Sequence, residues 1–299
     1  VSAFDRLVRH GLPLIPKFVV GRVARRYVAG SELEDAVRVV QELNTEGAMA
    51  TCDVLGEAVR DRGRAEAAVA EYLRLLETIR AEGLDANVSV KPTLLGLGID
   101  ERFCRDNIRA VVRRAAELGN FVRIDMEDRT TTDATLRIYR ELRAEHENVG
   151  VVLQAYLHRT LADIRDLLPL RPNIRLCKGI YREPRSVMWT LYETVRANYV
   201  ACLERLLEGG AYVGIATHDE HLVWAAMELV DRLGLGPDRY EFQMLLGVDP
   251  ELRRIILGLG HRLRVYVPYG RDWYPYSVRR LRENPTVARH VLRAMVGLR

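Results

Sequence analysis

Hydrophobic positions along this chain change their period after residue 45. Up to that point apolar residues recur on one side of a helix, and SELEDAV at 31–37 resembles a helix start with Ser31 as the cap and acidic residues in the first turn. Beyond it, short β-prone runs alternate with long amphipathic stretches, the pattern of successive βα units around a parallel sheet. Strands are expected near 47–53, 86–90, 121–125, 149–154, 173–177, 211–216, 240–245 and 262–267, each followed by a helical pattern such as AEAAVAEYLRLLETI or EHLVWAAMELVDRL. Eight such pairs over about 250 residues have the size and rhythm of an α/β fold, the (βα)8 TIM-like barrel. A doubly wound sheet is the alternative, but a dinucleotide-binding fold wants a glycine fingerprint after its first strand. The nearest cluster, LLGLGID, offers only Gly96 and Gly98 and reads as a loop. With no linker or low-complexity tract, the chain reads as a single domain: an N-terminal helical arm over 1–45 and the barrel over 46–299.

Composition narrows the function classes. At 299 residues and 48% hydrophobic, the chain can bury a large core. Its net charge of +4 is mild and no Lys/Arg block tracks a phosphate backbone, so nucleic acid is not an expected partner. Cys52, Cys104, Cys177 and Cys202 are widely spaced without a CxxC, which suits reduced thiols in a cytosolic protein better than a disulfide framework or a zinc site. No apolar run approaches the roughly 20 residues of a membrane span, and the opening VSAFDRLVRHGLPLIPKF is too short and too interrupted for a signal peptide. Of the 45 basic residues only Lys17, Lys91 and Lys178 are lysines. In so Arg-biased a chain, lysine is expected to persist where a flexible ammonium is needed and a planar fork does not fit, which draws attention to Lys91 and Lys178.

Barrels of this kind carry their reacting groups at the C-terminal ends of the strands. Lys91 falls after the second expected strand, Asp125 and Glu127 at the end of the third, Gln154 at the end of the fourth, and Arg175 and Lys178 around the end of the fifth. Thr217, His218 and Asp219 follow the sixth, and Tyr266 lies near the end of the eighth. Asp125 also has a plain reading, as a partner of Arg123 or a helix cap. Gln154, flanked by apolar residues, needs hydrogen-bond partners that a ligand can supply. The HDEH run at 218–221 lacks a clear third ligand, so no metal is expected. In PYSVRRLRENP, Tyr276, Arg279 or Arg280, and Glu283 lie three and four residues apart, a spacing that brings them onto adjoining helix faces. Two Arg forks at a barrel mouth suit a carboxylate. These residues alone point to a barrel enzyme acting on a small anionic substrate, with the reaction open.

Taken in order, RIDMED, LQAYL, RLCKGIY, ATHD, EFQML, YVPYG and YSVRRLREN resemble the proline dehydrogenase family. The resemblance runs from about Glu46 to Asn284, and RLCKGIY and YxxRRLxEN are its specific motifs. It implies a barrel that binds FAD non-covalently without a dinucleotide fingerprint and oxidises L-proline to Δ1-pyrroline-5-carboxylate, the first step of proline catabolism, passing electrons to a quinone. By the same resemblance Asp125 and Arg175 are catalytic, Arg279 and Arg280 bind the substrate carboxylate, and Lys91, Leu245, Tyr266 and Tyr276 contact the substrate. Met126, Gln154, Arg175, Lys178, Gly179, Ile180, Thr217, His218 and Glu283 match cofactor-binding positions. Glu57, in DVLGE, resembles a gate glutamate that pairs with Arg279. Ile180 stands where some members have alanine, a departure that bears on cofactor packing. The chain has no room for a fused aldehyde dehydrogenase, so it resembles the monofunctional bacterial members, for which pyrroline-5-carboxylate dehydrogenase is a candidate transient partner. Quinone reduction implies a cytoplasmic protein with peripheral contact at the inner face of the membrane, and the Arg-rich arm is the candidate for it; the alternative is that the arm packs on the barrel. Two competing readings are a Schiff-base aldolase or lyase using Lys91 or Lys178 and an inert barrel that binds an amino acid or a protein.

Overall fold

A computed structural model describes residues 21, 26–274, 276 and 277. Its framework is a closed, all-parallel barrel of eight strands in sequential order: β1 Met49–Val54, β2 Ala86–Val90, β3 Val122–Ile124, β4 Val149–Gln154, β5 Asn173–Cys177, β6 Tyr212–Ala216, β7 Tyr240–Leu245 and β8 Leu263–Tyr269. Each expected strand is present, four of them with the expected bounds. The helices are α1 Leu33–Thr45 ahead of β1, then α2 Arg62–Ala81, α3 Glu101–Glu117, α4 Thr132–Glu145, α5 Thr160–Leu167, α6 Tyr192–Glu208, α7 Glu220–Arg232 and α8 Pro250–Gly258, one after each of β1 to β7. The helix expected after β8, with Arg279, Arg280 and Glu283, lies outside the described residues.

Strand alternation sorts the side chains into two environments. Outward positions such as Ala50, Cys52, Val88, Ile124, Val151, Ile174, Leu176, Val213, Phe242 and Val265 join the helices in one continuous hydrophobic core. Inward positions are largely polar: Asp53, Ser89, Arg123, Arg175, Glu241, Gln243, Arg264 and Tyr266 lie on the opposite face of their strands, where Ser89, Arg175, Gln243, Glu241 and Arg264 form a hydrogen-bonded chain, Tyr266 joins it through Asp125, and Arg123 bonds Asn173. Barrel interiors are commonly filled by branched aliphatic residues, so here the hydrophobic stabilisation resides outside the strands. Glycines make room for the long inward side chains: a Cβ at Gly150 would collide with the Arg123 guanidinium, and one at Gly214 with the Gln243 amide.

Ser31 does not cap the first helix. α1 begins after Glu32, whose N–H donates to the Asp35 carboxylate at 3.2 Å, while the Glu32 side chain takes Arg271 at 3.3 Å. Asp35, one turn in, reaches back to the N–H of the residue before the helix, the reciprocal half of a capping box. α1 packs against both β8 and β1. That is the seam the helix after the last strand would ordinarily cover. The described residues just after β8 meet the mouth of the barrel, where Tyr276 is buried against Val28, Leu55 and Trp273.

At that mouth, Glu127 ties three loops together. Its carboxylate accepts from Thr93 N at 2.8 Å and Thr93 Oγ1 at 2.5 Å, while Thr93 receives the N–H groups of Ala58 and Val59 from the β1–α2 loop. The Glu127 backbone carbonyl accepts from the Gln154 amide at 3.0 Å. Burial pushes the Glu127 carboxyl up from 4.5 to about 7, with the Thr93 hydrogen bonds offsetting only part of the cost.

Two outcomes are expected. Since the folded protein holds the Glu127 proton more tightly than the unfolded chain, its contribution to stability is complete below about pH 4.5 and is lost as the pH rises through about 7. Denaturant midpoints measured across this window should fall with pH, at a slope of at most about 1.4 kcal/mol per unit from this group, and Glu127→Gln should flatten them; an unchanged slope contradicts the assignment. At the closed end of the barrel, Arg264 Nε donates to Glu241 Oε1 at 2.8 Å with both side chains buried. Glu241→Ala should cost about 3 to 5 kcal/mol by calorimetry or chemical denaturation, because it strands a buried guanidinium.

Candidate active site

The C-terminal ends of the strands enclose a cavity of about 420 Å³, and thirteen residues expected at the site line it. Its floor holds Lys91, Asp125, Arg175 and Tyr266; Met126, Leu245 and Tyr276 supply apolar and aromatic wall; Gln154, Lys178, Gly179, Ile180, Thr217 and His218 complete the side toward β4–β6. Glu57 is exposed on the β1–α2 loop and does not line the cavity, although its charge acts on Lys91 and Glu127. Its expected partner Arg279, with Arg280 and Glu283, lies outside the described residues.

Charges of alternating sign cross the floor. Arg175 Nη1 donates to Asp125 Oδ1 at 2.6 Å, Ser89 Oγ donates to the same oxygen at 2.6 Å, and Tyr266 Oη donates to Oδ2 at 2.8 Å. Lys91 Nζ lies 3.8 Å from Asp125 Oδ2, donates to Tyr266 Oη at 3.1 Å, and forms its shortest ion pair with Asp53 on β1. Arg175 is itself fixed from below, its Nε donating to Gln243 Oε1 at 2.7 Å while Gln243 Nε2 donates to Glu241 at 2.6 Å. The cavity floor is thus continuous with the Glu241–Arg264 pair at the closed end. Asp125 bonds Arg175 rather than Arg123, which reaches the Asn173 carbonyl at 2.6 Å.

These contacts fix protonation. Burial opposes ionisation of Asp125, but Arg175 and Lys91 outweigh it and hold the carboxyl below its ordinary range. Asp125 is therefore an anion at neutral pH with both oxygens occupied, suited to serve as a fixed counter-charge and not as a general base. Burial likewise works against the Lys91 ammonium, yet Asp53 and Asp125 raise its pKa above the usual lysine value. A Schiff-base lysine needs a neutral amine, so Lys91 is poorly placed for the aldolase reading. Burial pushes the Cys177 thiol up to about 11, leaving it a neutral wall residue.

A second charged cluster lies at the rim. Asp219 accepts from Lys178 Nζ at 3.0 Å, Tyr192 Oη at 2.5 Å and Arg196 Nη2 at 2.7 Å, and these partners overcome burial to hold its carboxyl well below the usual range. The HDEH run is thereby divided: Asp219 anchors three side chains, while His218 Nε2 accepts the Leu245 N–H at 2.8 Å. Gly179 turns the backbone at φ 111°, where a Cβ would strike the Tyr156 ring.

The expected residues come together because each strand places its last inward residue at one rim. The sequence reading passed over Asp53 and Gln243, and did not identify Tyr192 and Arg196 as partners of Asp219. Asp53 and Gln243 had a usable signal: Thr51 and Asp53 alternate with Ala50, Cys52 and Val54, and Glu241 and Gln243 alternate with Tyr240, Phe242 and Met244, so in each strand the polar pair shares the inward face. Tyr192 and Arg196 lie on α6 beyond a long loop, and no local pattern links them to Asp219.

Comparison with known proteins bears on this arrangement. The family model described as proline dehydrogenase matches residues 36–293. A proline dehydrogenase of Deinococcus radiodurans is 39% identical over 279 residues, covering 92% of this chain and 90% of its own. Proline dehydrogenase 1 of Bacillus subtilis is 37% identical over 273 residues, with 91% and 90% covered. Among solved structures, proline utilization A of Bdellovibrio bacteriovorus, inactivated by N-propargylglycine, superposes with a TM-score of 0.83 at 26% identity; the match covers 88% of this chain and 33% of that one. This chain spans about a third of that larger protein. A family match running through all eight strands and every described site residue is conclusive: the chain belongs to the proline dehydrogenase family.

Proposed function

We propose that the barrel mouth binds FAD and L-proline and that the protein oxidises proline to Δ1-pyrroline-5-carboxylate, the first step of proline catabolism. The observation that carries this reading is the cavity floor: an ionised carboxylate, Asp125, held by Arg175, Ser89 and Tyr266 beside the ammonium of Lys91.

The residues present fit a flavin. The lining suits the ring end of the cofactor, combining apolar Met126, Val152 and Ile180 with the donors Gln154, Arg175 and Lys178. These, with Gly179, Thr217, His218 and Glu283, are the residues that would hold it. Bound FAD supplies a two-electron acceptor for hydride from the ring carbon beside the substrate nitrogen. Arg175 presents a fixed positive charge at the cavity floor, suited to stabilise negative charge that builds during reduction. Asp125 keeps that guanidinium and the Tyr266 hydroxyl in place. Tyr266, Tyr276 and Leu245 give the proline ring an apolar seat and exclude water, and Arg279 with Arg280 clamp its carboxylate, orienting the reacting carbon. Glu57 pairs with Arg279 to close the site.

We extend this reading to a quinone as electron acceptor, to pyrroline-5-carboxylate dehydrogenase as the enzyme that takes the product, and to the N-terminal arm as the membrane contact. Among the described residues no helix is long and apolar enough to cross a membrane. An inert amino-acid-binding barrel would bind proline without flavin or turnover.

The purified protein should be yellow, and its visible absorption should bleach on anaerobic addition of L-proline; a colourless preparation that never takes up FAD contradicts the reading. Arg279→Met and Arg280→Met should each weaken proline binding by about 2 to 5 kcal/mol while FAD affinity changes little, as read by flavin-absorbance titration. Wild-type proline affinity in both variants would remove the carboxylate clamp.

A further inference from the structure

Lys91 belongs to the substrate-contacting floor, but its closest partner is a residue to which that reading gives no role. Asp53 is the penultimate residue of β1 and is fully buried. Its carboxylate takes the ammonium of Lys91 in an ion pair shorter than the 3.8 Å between Lys91 and Asp125. β1 and β2 are neighbours in which Asp53 pairs in register with Ser89, so Lys91, two residues on and just past the end of β2, is the next inward side chain above Asp53. Tyr72 of α2 bridges the same two strands, its hydroxyl donating to Ser89 O at 2.7 Å and accepting from Val54 N at 3.3 Å. The backbone carrying Asp53 is therefore fixed on both sides.

We propose that Asp53 is the positioning residue for Lys91, holding its ammonium charged and oriented between Tyr266 and Asp125 so that Lys91 meets the substrate as a hydrogen-bond donor. This inference rests on the proposed oxidation for its kinetic arm alone. Asp53 and Asp125 face the ammonium with negative charge and the exposed Glu57 adds to it from the β1–α2 loop; Tyr266 and Glu127 lie close, and Arg175 acts on it through Asp125. A lysine buried to this extent would lose its proton readily if its carboxylates were removed, because burial disfavours the charged form. Asp125 is already committed to Arg175, Ser89 and Tyr266. Asp53 has no second cation on it among the ion pairs of the described residues, so it carries the larger share of the work on Lys91.

The chain contains three lysines, Lys17, Lys91 and Lys178. In protein labelled with 15N at lysine Nζ, the Lys91 resonance can be assigned by its loss in Lys91→Met and titrated without ligand. The wild-type ammonium should remain protonated to a higher pH than Lys17 or free lysine, and Asp53→Asn, which preserves side-chain shape, should lower its proton affinity at least tenfold. In the kinetic arm, the alkaline limb of kcat/KM for proline should move to lower pH by the same interval in Asp53→Asn, a displacement that mere loss of stability would not produce. Should that variant fail to fold, the ligand-free titration of the wild-type Lys91 resonance against free lysine decides the pairing by itself. A wild-type Lys91 that titrates below free lysine, or an Asp53→Asn titration like that of the wild type, overturns the proposal. If the NMR shift appears and the wild-type protein oxidises proline, but the kinetic limb stays in place, the role in the reaction is overturned and only the ion pair stands. A wild-type protein that does not oxidise proline overturns the proposed function, and the NMR arm still decides the pairing.

Discussion

The polar lumen depends on one constraint: a charge taken out of water must meet an opposite charge and saturated hydrogen bonds, or the fold loses several kcal/mol per ion. Lys91, Asp125 and Arg175 meet it by alternating in sign across the barrel, with Tyr266 and Ser89 filling the remaining positions on Asp125, whereas Asp53 carries the Lys91 ammonium on one oxygen and leaves the other buried without a hydrogen bond. Well-packed hydrophobic residues of similar volume are often at least as stabilising as such an array. Its retention in a barrel that has a full hydrophobic layer outside its strands points to chemistry at the mouth rather than to stability.

The same constraint accounts for the depth of the polar column. Arg175 can present a fixed guanidinium to the cavity because Gln243 holds its Nε, and Gln243 is oriented because its amide donates to Glu241, which Arg264 neutralises. Each step is short and lies between adjacent inward positions of the strands. Positioning at the mouth is thus inherited from the closed end, and Gly214 contributes by leaving space for the Gln243 amide. The placement of α1 on the β8–β1 seam has a related effect. With the seam covered from the N-terminal side, the chain after β8 is released to deliver Tyr276 to the cavity wall.

Strand positions were legible because half of each strand faces a hydrophobic layer and half does not, a contrast that survives in the sequence as alternation. NIRLC shows it in five residues: Ile174 and Leu176 enter the outer core, Arg175 enters the lumen. The scarcity of lysine also carried information, since Lys91 and Lys178 both reach the cavity. The rest depended on pairings across space. Asp53 in MATCDV looks like a strand-end polar residue until β1 is set beside β2, and Asp219 looks like part of a histidine-rich run until α6 brings Tyr192 and Arg196 to it. Ser31 was read as a cap because the sequence offers several acceptors near the start of α1 and only geometry selects Asp35.

The carboxyl groups around the mouth show how burial and pairing divide labour between chemically identical side chains. Asp125 is buried and stays an anion because Arg175 and Lys91 oppose desolvation; Glu127 is equally buried, bonds neutral donors of Thr93, and is pushed up to about 7. One serves as a permanent charge in the cavity floor and the other as a structural clasp for the loops above it. Asp53 stands between these cases, burial pushing it up and Lys91 pulling it down. Its ionisation is bound to that of a single partner, and proton affinity on the floor therefore belongs to the Asp53–Lys91 pair as a unit. A substrate entering the cavity with its own ammonium and carboxylate meets a net-neutral but strongly polarised surface. Such a floor can orient a zwitterion while leaving its carboxylate to the proposed arginine clamp.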